Sequence, residues 1–119
     1  MRVEGEHHRA VATAQSAFYI MTGLWPLVHR RSFERVTGPK TEFWLVETVG
    51  VTVASIGIGL AQALRSGRPV PTELRSVALA AAAGLAVVDV IYVARRRISS
   101  VYLLDAVAET ALVLGWLRR

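Results

Sequence analysis

Residues 101–117, "VYLLDAVAETALVLGWL", are apolar enough for a membrane interior, yet they hold Asp105 and Glu109 one helical turn apart. Two more acids sit in similar surroundings, Glu47 within "FWLVETVG" and Asp89 within "LAVVDVIYVA". A carboxyl group in apolar surroundings holds a proton, holds a cation or pairs with a basic side chain; otherwise its burial is prohibitive. Phenols lie at helical spacing from these acids. Tyr92 is three residues after Asp89 and Tyr102 three before Asp105. Tyr19, with Gln15 one turn before it and Thr22 three residues after it, forms a polar face on the first apolar segment. The candidate ion- or substrate-binding set is therefore Glu47, Asp89, Asp105, Glu109, Tyr19, Tyr92 and Tyr102.

The elements that must position these groups follow from hydropathy. Hydrophobic residues make up 53% of the 119-residue chain, and mean hydropathy is +0.40. These values suit a small membrane protein better than a soluble domain. Apolar runs near 10–28, 43–64, 74–94 and 101–117 are separated by basic blocks, "HRRSFER", "RSGR" and "RRR". As helices they would be roughly 25–33 Å long, against a hydrocarbon core of about 30 Å. The expected fold is an all-α integral membrane four-helix bundle, a single four-span domain over residues 1–119. Gly38-Pro39 and the Gly67, Pro69, Pro71 cluster punctuate the connections. Thr72 is a candidate cap for the third span, and Ser99 or Ser100 for the fourth. Trp25, Trp44 and Trp116 fall at span ends, where aromatic belts form. The short "RRRISS" link predicts a tight hairpin of the last two spans. Gly50, Ala54, Gly57 and Ala61 form a small-residue face on the second span, and Glu47 continues that face toward a neighbouring helix.

Counted from the loops that share one side, Glu47, Asp89 and Asp105 sit about 6–8 Å below a single surface. Glu109 is one turn deeper. An acid at a span centre costs about 2.5–3.5 kcal/mol to insert. The eight Leu and Val residues of the last span return roughly 2–5 kcal/mol. That span therefore needs partners, with its acids turned inward. Arginines near the rim, Arg30, Arg31 and Arg95–Arg97, give a structural alternative in which ion pairs fix helix register.

The sequence also excludes. There is no cysteine, which removes disulfides, thiolate metal sites and thiol nucleophiles. Net charge is +5, but the cations flank apolar runs, so membrane lipid is the expected partner and nucleic acid is not. Arg95, Arg96 and Arg97 are candidate contacts for lipid headgroups. His7-His8 and His29 lack the company a metal centre needs, and no metal or other cofactor is expected. No catalytic constellation is evident, so an enzyme is the less favoured class. Seven cations on each side leave the orientation open and suit insertion in both orientations as a homodimer.

The segments "WPLVHRRSFERVTGPKTEFWLVETVG" and "RRRISSVYLLDAVAE" resemble those of uncharacterised small four-span bacterial membrane proteins, loosely the DoxX-like group. That resemblance implies a multi-pass bundle in the bacterial inner membrane and transfers no functional residue. Length, four spans and an intramembrane glutamate are similar to the small multidrug resistance transporters. Their glutamate lies in the first span, where this chain has no acid. Three functions follow in order: a proton- or cation-coupled transporter or binding protein, a non-catalytic structural or accessory subunit, and a membrane enzyme acting on a lipid or isoprenoid.

Overall fold

The computed structural model describes residues 2–118, with side chains for residues 5–118. Arg119 and the Arg2 side chain, both counted in the charge balance, lie outside the described residues. The described chain is all-α, with five helices: α1 Arg2–Val28, α2 Arg30–Thr37, α3 Phe43–Arg65, α4 Thr72–Ala94 and α5 Tyr102–Leu117. Two of them, α3 and α4, are long and apolar enough to cross a membrane. At 16 residues, α5 is about 24 Å long.

The longest interface is between α1 and α3. They run antiparallel and touch through backbone. A Cβ added at Gly23 would stand 2.6 Å from the Gly50 carbonyl oxygen, and one at Gly57 would stand 3.0 Å from the Ser16 carbonyl oxygen. Only glycine permits this approach. The second extensive interface joins α4 to α5 as the expected hairpin, turned through Arg96, whose φ is 57°. Contacts between α1 and α5 and between α3 and α4 then join the two pairs. The buried core is small: Val11, Ala12, Tyr19, Leu60, Ala78, Ala82, Leu112 and Trp116.

Several expectations are corrected. α1 begins eight residues before the apolar run, because "RVEGEHHR" continues the helix. The 29–42 connection holds α2, whose N-cap His29 accepts from the Ser32 amide. Phe33 packs edge-on to Trp25 at 5.4 Å and to Phe43 at 6.4 Å, laying α2 across the ends of α1 and α3. Thr72 is inside α4 behind its N-cap Pro71, and Val101 is the N-cap of α5; neither helix has a side-chain cap. Trp116 is buried at 2% exposure, not a belt residue, whereas Trp44 is 62% exposed.

Candidate functional site

The site is assembled from α1, α4 and α5. On α5, Glu109 falls on the buried face with Ala106, Leu112 and Trp116 at spacings of three and four. Antiparallel packing sets Tyr19 of α1 opposite it, and the Tyr19 hydroxyl donates to Glu109 Oε1 at 2.7 Å. Both residues are sealed, at 0% and 2% exposure. Asp105, one turn nearer the α4–α5 turn, neighbours both Glu109 and Asp89 of α4. Asp89 is 6% exposed, and its Oδ2 has no hydrogen-bond partner.

Arginine does not fill this layer. Among the described residues the one ion pair is Arg30 Nε with Glu34 Oε1, at 2.9 Å on the surface of α2. Three carboxyl groups thus adjoin one another in a nearly dry setting, with a phenol on the deepest and no basic partner on any. Full ionisation of such a trio is untenable, so protons or a cation must offset the charge. Among the described residues no group of three or more His, Cys, Asp or Glu is arranged to hold a metal ion.

The other expected members fall away from the trio. Glu47 is exposed, contrary to the inward position its spacing implies. Pro26 already lies against Gly50, and α1 ends two residues later at Val28, so its partner helix runs out at the level of Glu47. Tyr92 is 39% exposed and faces outward, with the Arg95 guanidinium 5.8 Å from its ring. Tyr102 is half-buried beside Asp89 and Asp105, reaches Thr37, and has Lys40 Nζ 5.3 Å from its ring centre. Burial pushes the Lys40 ammonium below the ordinary lysine range, although Glu34 opposes this. Thr22 bonds back to the Phe18 carbonyl and does not join. Arg95, Arg96 and Arg97 are all exposed at the α4–α5 turn.

Sequence reading missed a second buried polar contact one turn from Tyr19. The Trp116 indole N–H donates to Gln15 Oε1 at 2.6 Å, and Gln15 Nε2 donates to the Ala78 carbonyl at 3.0 Å. Beyond it, His8 packs against the Trp116 ring at 5.6 Å, and His7 Nε2 meets the Gly115 carbonyl at 2.8 Å. The available signal was Gln15 itself, a costly residue in an apolar run that requires partners for both ends of its amide. A separate apolar groove on the outer face of α1, lined by Phe18, Met21, Trp25 and Val28 among others, involves none of these groups. Compared with known proteins, the chain matches no family model, no curated protein and no solved structure.

Proposed function

We propose that this chain is a small four-span membrane protein of the bacterial inner membrane type that binds protons or small cations at Asp89, Asp105 and Glu109 and couples that binding to transport. The observation that carries the reading is the Asp89 carboxyl, buried with no basic or amide donor on Oδ2 and sharing its site with the Asp105 carboxyl. A purely structural acid would be expected to have found an arginine or a donor. The apolar outer faces support the membrane setting: Val87, Val88, Val90 and Ile91 on α4 and Leu103, Leu104, Val107 and Leu114 on α5 are all at least 39% exposed. The exposed Arg95–Arg97 turn suits anionic headgroups at the rim, and the balanced cations suit a dual-orientation homodimer.

The test is proton-coupled flux in proteoliposomes, read beside the infrared carboxyl band during titration. Glu109→Gln and Asp89→Asn should each abolish flux and remove part of the band while helix content is retained. A structural or accessory role is the second reading, favoured by the Tyr19–Glu109 contact between α1 and α5. It gains if the parent shows neither flux nor a titrating band, and Glu109→Gln unfolds.

A further inference from the structure

We propose that the carboxyl trio exchanges protons with one side only, past the half-buried Tyr102, and that Gln15 with Trp116 is the gate closing the other side. The inference rests on the trio being a proton site. It is supported independently by the chemistry of the groups that follow it along the core.

A proton hops through a group only if that group accepts on one side and donates on the other. Carboxyls and phenols do both; an indole N–H only donates, and an amide nitrogen carries no free lone pair for a proton. Starting from Asp89, the core presents Asp105, Glu109 and then the Tyr19 phenol, all able to relay. Next comes Gln15, which adjoins Tyr19 but has both ends of its amide committed, the oxygen to Trp116 and the nitrogen to Ala78. The indole N–H of Trp116 points into Gln15, so a proton on Glu109 meets a donor with nothing to accept it. Gln15 is 0% and Trp116 2% exposed, so this level is also dry.

The opposite end is chemically different. The Asp89 Oδ2, with no donor on it, marks the trio's unsatisfied edge, and the half-buried Tyr102 phenol leads from it toward Lys40, while Thr37 beside it gives its hydroxyl to the Phe33 carbonyl and does not relay. The charged and titratable groups facing Asp89 are Asp105, Glu109 and Tyr102 from α5, with Lys40 beyond the Tyr102 ring. A proton arriving here leaves water, forms an O–H bond on Asp89 Oδ2 and neutralises one carboxylate. Delivery to the far side then requires Trp116 to part from Gln15.

The experiment uses the full chain in proteoliposomes with an imposed pH gradient and the membrane potential clamped. With no co-transported solute present to drive coupled flux, the parent should hold the gradient as well as protein-free vesicles. Gln15→Glu and Trp116→His each place an accepting and donating group at the gate, and each should collapse the gradient. Adding Glu109→Gln to either should restore tightness, because the path runs through the trio. A leaky parent overturns the proposal, as do folded gate variants that stay tight or leak undiminished with Glu109→Gln. Should both gate variants misfold, leak through the parent still decides between a closed and an open far side. Failure of the underlying reading has a separate signature, namely no titrating carboxyl band in the parent.

Discussion

At the scale of single residues, Tyr19 and Asp89 divide the work. Tyr19 gives Glu109 its hydrogen bond, and Tyr19→Phe should lower stability by about 1.5–3 kcal/mol, since a buried carboxyl loses its donor. Thermal unfolding in detergent measures this, and a change within error would mean that Glu109 finds another donor. Asp89 adjoins only the Asp105 carboxyl, a contact an asparagine amide can keep, so Asp89→Asn should leave the melting temperature nearly unchanged while removing proton uptake. The sequence made Asp89, Asp105 and Glu109 conspicuous, because an acid in an apolar run must be explained. It could not choose their partners. Arginine within snorkelling reach was a reasonable expectation from spacing alone, yet the side chains at Arg95–Arg97 stay outside. Glu47 illustrates the limit differently: its helical face was legible, but not that the neighbouring helix stops short of it.

Elements show the same division. The boundaries of α3, α4 and α5 fall within two residues of the apolar runs, since long hydrophobic stretches bounded by Gly, Pro and Arg leave little choice. α2 was hidden because its apolar face is only Phe33 and Val36 in eight residues, too short to stand out beside the long apolar runs, and its place depends on Phe33 meeting Trp25 and Phe43. α2 should respond to acid. The Lys40 amide donating to Oε2, and Arg30 on Oε1, hold the Glu34 carboxyl below its ordinary range. Its contribution is therefore present above that ordinary range and lost as pH falls through the depressed value. Trp25, whose indole N–H donates to Ser32 of α2, should report the loss by fluorescence. Glu34→Gln should flatten that acid limb. The α1–α3 contact makes a paired prediction. Gly50→Ala puts a Cβ 2.5 Å from the Gly23 carbonyl oxygen and should destabilise by about 1–3 kcal/mol. Gly84→Ala, with nothing within 4 Å, should stabilise by about 0.5–1 kcal/mol. Denaturant titration of both variants checks the contrast.

For the whole molecule, the decisive quantity is how much apolar surface the helices leave uncovered. Val107 is 69% exposed on α5, away from the trio. In a bilayer, Val107→Arg should oppose insertion by about 2.5–3.5 kcal/mol and deplete the protein from the membrane fraction. In a water-facing protein the same change would improve soluble yield, so fractionation separates the settings. The molecule is two helical pairs, α1 with α3 and α4 with α5, sewn along a seam in which Tyr19, Gln15, Glu109 and Trp116 carry the polar stitches. That arrangement has a consequence for biosynthesis. The helix that carries Asp105 and Glu109 is made well after the helix that supplies the donor for Glu109. α5 therefore cannot settle until α1 has been kept waiting, open along that side, while the 73 residues between them emerge from the ribosome. Anything that occupies the Tyr19 face of α1 in that interval competes with the chain's own α5.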